Sequence, residues 1–152
     1  WRPAPVALEV LEEAEGPFTP ELALFNFEAN IEPRTLDGHC FSDLEKRIDE
    51  VVSEARRAAK KVDSEVILTG ILPTLTKSDM SLDNITPKAR YHALNDALSE
   101  MRGGEPQQLR IEGSDELLIQ HDSVMLEACN TSCQVHLQVE ADEFVKMYNA
   151  CQ

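Results

Sequence analysis

The sequence has few basic residues, and this shortage excludes one class of partner. Of its 152 residues, 14 are lysine or arginine and 28 are aspartate or glutamate, which gives a formal net charge of -14. A chain this acidic repels polyanions unless its cations gather on one face. Here the densest group of cations, in residues 46–61, is interleaved with acidic residues on one predicted helix. We therefore expect no nucleic-acid partner.

The sequence also lacks a long apolar run and a disulfide-type cysteine pattern. No stretch approaches the roughly 20 apolar residues that a membrane-spanning helix needs, so we expect no membrane partner. The cysteines Cys40, Cys129, Cys133 and Cys151 include no CxxC pair and are not densely spaced. Such a pattern is typical of free thiols in a reducing compartment, which predicts a cytoplasmic location.

The length of the chain bounds its number of domains. A chain of 152 residues can bury about 70% of the surface that its unfolded form exposes, which suffices for one domain. It begins at Trp1 rather than at a methionine, and its last residues keep a helical pattern without a stop. We therefore predict that residues 1–152 form a single domain, as part of a longer polypeptide.

Apolar residues spaced three and four apart predict the helices. One covers residues 5–15, and a long helix follows a capping box formed by Ser42 and Glu45. Thr86 and Pro87 predict the start of another helix, which ends at Gly103. A last helix starts near residue 141.

Three segments have strand patterns, and two more flank a short turn. Period-two alternation occurs in residues 22–32 and 132–140, and residues 65–72 contain a continuous apolar run. Residues 109–112 and 116–120 fit either a hairpin or two unpaired strands. This mixed order predicts an α+β fold, with a largely antiparallel sheet and helices packed on one face.

Two of the predicted strands carry rows of polar side chains that bind ligands well. The first row is Asn26, Glu28 and Asn30, and the second row is Gln134, His136 and Gln138. If the strands are neighbours, Glu28 and His136 converge as an oxygen and a nitrogen ligand for a divalent cation such as Mg²⁺ or Mn²⁺. The alternative is that both are ordinary polar residues on the wet face of an antiparallel sheet.

A resemblance to a known family favours the ligand interpretation. Four segments resemble, in order, conserved stretches of the glutamate-cysteine ligase type 2, or carboxylate-amine ligase, family. Residues 27–33 are similar to its Glu-x-Asn-Thr-Pro stretch, and residues 68–73 to its Ala-Gly-x-x-Pro strand. Residues 85–91 resemble its Thr-Pro-x-x-Arg-Tyr helix start, and residues 134–139 its His-Val-Gly-Val strand.

The resemblance implies a fold like that of glutamine synthetase and a partial catalytic domain that uses ATP and Mg²⁺ or Mn²⁺. By this resemblance Glu28, His136 and Glu21 correspond to metal-site residues, while Asn30 and Gln138 line the nucleotide or substrate side. The implied reaction joins an amino acid to an amine through an acyl phosphate. Implied partners are ATP, the amino-acid substrate, the remaining segments of the same polypeptide and a second copy in a homo-oligomer.

The chain also departs from the family pattern. We expect the family's opening Glu-x-Glu strand to lie before residue 1, since Glu9 and Glu12 lie in a helical pattern that does not reproduce it. The small glycine expected after the histidine strand is Gln138 here, and the arginines expected after the last helix are missing. We therefore expect the isolated piece to be inactive. The alternative function is a catalytically inactive binding or regulatory domain that keeps the fold.

Overall fold

The structure is a computed structural model, and it describes residues 1–152. In chain order its elements are α1 (Ala7–Glu13), β1 (Phe18–Pro20), β2 (Phe27–Ala29), α2 (Cys40–Lys61), two 3₁₀ turns (Lys77–Met80 and Leu82–Asn84), α3 (Ala89–Met101), β3 (Gln107–Glu112), β4 (Glu116–His121), α4 (Met125–Ala128) and α5 (Phe144–Ala150). None of the helices combines the length and the apolar character needed to cross a membrane.

The predicted helices are present, but two of them start elsewhere than expected. Helix α2 begins at Cys40, so Ser42 lies inside its first turn and does not cap it. Helix α3 has Lys88 as its N-cap and begins at Ala89, which is three residues after Thr86. Thr86 is buried, and its hydroxyl donates to the backbone oxygen of Glu21 over 2.5 Å instead of capping the helix. A tertiary hydrogen bond has therefore replaced the predicted cap.

The α+β class is confirmed and the strands pair antiparallel, but they form two small sheets rather than the predicted single sheet. Strands β1 and β2 form one antiparallel pair, with Thr19 opposite Glu28, and β3 and β4 form a separate antiparallel hairpin. The hairpin extends from Gln107 to His121 and confirms the first of the two interpretations of that segment.

The three predicted sheet strands outside this hairpin are shorter than expected or absent. Of residues 22–32, only Phe27–Ala29 form a strand, and Ala23 makes an isolated bridge to Ile85. Residues 65–72 and 132–140 contain no strand, although Ile71 makes an isolated bridge to Asn130, just before the second range. Alternation predicts the two faces of a segment, whereas a strand also needs a paired neighbour to take its backbone hydrogen bonds.

Two separate groups of buried side chains make the interior. The central cluster joins residues from five parts of the chain: Ala23, Met80, Ile85, Tyr91, Val124, Met125, Ala128 and Cys129. The second cluster is smaller and joins Val10 of α1 to Ala58 and Ala59 of α2, with Phe27 and Val66 packed against it. The chain that leads into β2 contacts both clusters, the central one through Phe25 and the second through Phe27.

Candidate functional site

Glu28 lies at the centre of β2 with its side chain exposed. Phe27, the residue before it, packs against the second cluster, so Glu28 points to the opposite side of the strand. Asn30, also exposed, donates from Nδ2 to the hydroxyl of Thr19 over 3.4 Å. Glu28 and Asn30 of the first polar row are therefore exposed, with Glu28 directed away from the second cluster, whereas Asn26 is half-buried and lines the same cavity as Phe27.

Glu21 is partly buried at the end of β1, where its surroundings hold it in place. Its Oε2 accepts a hydrogen bond from the backbone N–H of Leu22 over 3.2 Å. Its backbone oxygen accepts the Thr86 hydroxyl, and the oxygen of Pro20 accepts the Tyr91 hydroxyl over 2.9 Å. These contacts fix the chain just before the first polar row. The sequence pattern assigned Thr86 to a helix cap and gave no indication of this role.

His136 and Gln138 lie in an exposed, irregular segment. The ring Nε2 of His136 is 3.3 Å from Oε1 of Gln134, and this is the one side-chain hydrogen bond of the second polar row. The predicted strand is not formed here, so no ladder fixes the direction of these side chains. The second row is therefore much less constrained than the first.

The predicted metal ligands do not form a cluster in this structure. No group of three or more His, Cys, Asp or Glu side chains is placed to hold a metal ion, so Glu21, Glu28 and His136 do not meet as a complete set. Their oxygen and nitrogen donors suit a divalent cation chemically. The metal site stays a prediction.

Two contacts hold the chain at the start of the segment that carries the second row. One comes from Asn26 of the first row and the other from Gly70. Nδ2 of Asn26 donates to the backbone oxygen of Ala128 over 2.9 Å, a contact between residues 102 apart in sequence. The backbone N–H of Thr131 donates to the oxygen of Gly70 over 2.8 Å. Thr131 belonged to no predicted motif, and only its place at the start of an alternating segment hints at this role.

The buried thiol of Cys129 lies close to these contacts but has little nucleophilic character. Burial raises its pKa to about 11, and the negative charge of Asp79 contributes in the same direction. At neutral pH the thiol is therefore protonated, and the thiolate is the reactive form. Cys129 acts as an apolar member of the central cluster.

A cavity of about 320 Å³ lies between the central and second clusters. Its walls include Val10, Phe27 and Val66 from the second cluster, and Phe25 and Cys129 from the central one. Most of its lining is hydrophobic. Because Phe27 lines the cavity and Glu28 points the other way along the strand, the cavity lies on the side of β2 away from Glu28.

Comparisons with known proteins identify a family over nearly the whole chain. The model of the family described as glutamate-cysteine ligase family 2 (GCS2) matches residues 6–150. No curated protein and no solved structure matches the chain. The match includes the segments of both polar rows, β2 and residues 134–138.

Proposed function

Since the chain belongs to glutamate-cysteine ligase family 2, we propose that it is part of an ATP- and metal-dependent carboxylate-amine ligase of the glutamate-cysteine ligase type. Membership in the family indicates ligase activity in general. The observation that carries the proposal is the extent of the match, because residues 6–150 include every segment that the resemblance uses.

The proposed reaction forms an amide in two steps. An oxygen of the substrate γ-carboxylate attacks the γ-phosphorus of ATP, the bond from that phosphorus to the bridging oxygen breaks, and ADP leaves. The amine nitrogen then attacks the acyl carbon, phosphate leaves with the electrons of the C–O bond, and the amine loses a proton. A reaction of this kind depends mainly on positioning and on stabilising the charge of the transferred phosphoryl group. Mg²⁺ or Mn²⁺, held by Glu28 and His136, would supply that stabilisation.

Glu28 and His136 are the proposed metal-site residues of this chain, with Glu21 as a further carboxylate. Two features support Glu28: its side chain is exposed on the side of β2 away from the second cluster, and it takes part in none of the ion pairs of the structure. Asn30 and Gln138 are the proposed polar contacts to nucleotide or substrate. Both are exposed, as a ligand-binding role requires.

Calorimetric titration tests the proposal in the natural full-length polypeptide. Mg²⁺ with a non-hydrolysable ATP analogue should release heat on binding, and Glu28→Gln should abolish most of that heat because it removes one anionic metal ligand. Glu45→Gln is the matched control, because Glu45 is also exposed, lies on α2 and has no hydrogen-bond partner. It should bind as the unchanged protein does.

The outcomes of this titration separate the two candidate functions. Binding that is lost in Glu28→Gln but kept in Glu45→Gln supports the ligase. The absence of any nucleotide binding would reject it in favour of a catalytically inactive binding or regulatory domain. Equal loss in both variants would reject Glu28 as a ligand. The cytoplasmic location, the single partial domain and the homo-oligomer stay predictions.

A further inference from the structure

Two unpaired segments are already joined at one end by the start of an antiparallel ladder. Ile71 and Asn130 form an isolated antiparallel bridge. Next to it, the N–H of Thr131 donates to the oxygen of Gly70 over 2.8 Å, and the Thr131 hydroxyl donates to the oxygen of Thr69. The bridge therefore fixes which residue of one segment lies opposite which residue of the other.

Beyond this point the two segments are open. Residues 65–68 and 132–139 lie outside every helix and strand, and their backbone N–H and C=O groups make no backbone hydrogen bond. Apolar side chains on both segments face solvent: Leu68 is 69% exposed and Val135 is 78% exposed. Each segment has a strand pattern and unpaired backbone N–H and C=O groups. The donors and acceptors of one segment can therefore pair with those of the other.

The register set by the bridge matches the side-chain pattern of both segments. Counting outward from Ile71 and Asn130 places Leu68 opposite Cys133 and Val66 opposite Val135. Directly opposite residues of an antiparallel pair point to the same face, so these apolar side chains meet. A shift of the register by one residue would instead place Val135 opposite Glu65 or Ile67. The observed bridge thus sets the apolar face of residues 132–140 opposite Val66 and Leu68.

We propose that residues 65–71 and 130–136 close into an antiparallel ladder in the register of the Ile71–Asn130 bridge. The apolar face of the ladder then lies over the second cluster, because Val66 already packs against that cluster. The cavity of about 320 Å³, which Val66 and Thr131 both line, provides room for Val135. Closure enlarges the smaller of the two hydrophobic clusters and covers exposed apolar surface.

Closure also assigns a role to Glu65, and this part rests on the proposed function. The same register places Glu65 directly opposite His136, on the face of the ladder away from the second cluster. Glu28 is likewise directed away from that cluster. Glu65 is then a positioning residue: its carboxylate accepts a hydrogen bond from the imidazole and fixes the ring orientation and tautomer.

A disulfide tests the register directly. Leu68→Cys, in a chain with Cys40, Cys129 and Cys151 replaced by serine or alanine, should cross-link to the native Cys133 under mild oxidation. The ladder would bring the two Cα atoms to about 5.5 Å, which a disulfide spans. Ile67→Cys is the matched control, because the ladder points residue 67 to the other face. We expect at least about tenfold more intramolecular disulfide in the first variant than in the second.

Hydrogen exchange of the otherwise unchanged full chain provides a second readout that needs no substitution. The Thr131–Gly70 bond makes residues 131, 133 and 135 the donors of the ladder, so their N–H groups should exchange slowly. The N–H groups of residues 132, 134 and 136 should exchange fast. Equal cross-linking of both cysteine variants, no cross-link in either, or uniform exchange along the segment would overturn the ladder.

The role of Glu65 has its own test. The ¹⁵N signals of the His136 ring should show one fixed tautomer in the unchanged protein, and a mixture in Glu65→Ala while the Leu68→Cys disulfide still forms. Glu65→Asp should restore the fixed tautomer in part. A tautomer unchanged by Glu65→Ala would reject the role of Glu65. Both readouts are made without nucleotide, so a ladder that forms in a protein without ATP binding would refute the ligase proposal alone.

Discussion

The two polar rows have the same sequence pattern and different structural support. Around the first row, the N–H of Leu24 donates to the oxygen of Asn84 and the N–H of Asn30 donates to the oxygen of Pro17, over 2.8 and 2.9 Å. Strand β2 also pairs with β1. The second row, in residues 132–140, has no ladder. Alternation therefore predicts the side of the segment on which each side chain lies. Hydrogen bonds to neighbouring elements determine whether the backbone is fixed in that orientation.

The largest expected effect comes from removing the packing beneath the first row. Met125 of α4 is fully buried in the central cluster, which also contains Ala23. Met125→Ala should lower the free energy of unfolding by about 2–5 kcal/mol, because it removes buried apolar atoms and leaves a cavity. Met101→Ala is the control, since Met101 is 83% exposed; it should change stability by less than about 0.5 kcal/mol. Urea denaturation measures the free energy of unfolding of both variants. Equal losses would contradict the claim that the central cluster supports the first row.

A smaller effect is expected at the hydrogen bond that holds Glu21. Thr86→Val keeps the side-chain shape but removes the hydroxyl that donates to the Glu21 oxygen. The loss should be about 1–3 kcal/mol, the usual result of leaving a buried acceptor without its donor. Thr74→Val is the matched control, because Thr74 is exposed and makes no side-chain hydrogen bond. A Thr86 variant as stable as the control would show that the bond does not support the first row.

The smallest effect concerns a surface ion pair between Glu54 and Arg57, which lie one turn apart on α2. Arg57 donates to both carboxylate oxygens of Glu54, and this hydrogen bonding lowers the pKa of Glu54 to about 2 from 4.5; a further bond from the Glu15 N–H contributes. Because the folded-state pKa is depressed, the stabilisation is present above about pH 4.5 and is lost as the pH falls through about 2.

Carboxyl ¹³C shifts of Glu54 measure this pKa. Arg57→Gln should move the titration midpoint up toward 4.5, the value of an unperturbed glutamate. Arg56→Gln should leave it in place, because Arg56 is exposed and has no hydrogen-bond partner among the acids. A Glu54 midpoint that does not respond to Arg57→Gln would show that this ion pair does not lower the pKa of Glu54.

The local pattern predicted the elements whose hydrogen bonds are local. Helices α1, α2 and α3 and the hairpin β3–β4 follow from periodicity and turn residues, because their backbone partners lie within a few residues or across a short turn. Their boundaries were less accurate, as Ser42 and Thr86 show, because a side chain that can cap a helix can also bond elsewhere.

The sheet could not be predicted to the same extent, since its pairs join distant segments. Residues 65–72 and 132–140 have strand patterns, and the structure pairs the first segment only with Asn130, which lies just before the second. For the candidate site, the exposed position of Glu28 and its face followed from alternation. Its distance from His136 did not, because that distance depends on how two segments more than a hundred residues apart are joined.

Paramagnetic broadening by Mn²⁺ tests the central claim, that Glu28 and His136 serve one metal site in a ligase, most directly. In the natural full-length polypeptide with an ATP analogue present, substoichiometric Mn²⁺ should broaden the amide signals around Glu28 and around His136 at the same concentration, and Glu28→Gln should abolish both effects. Broadening confined to one of the two segments, or absent from both, would contradict the account.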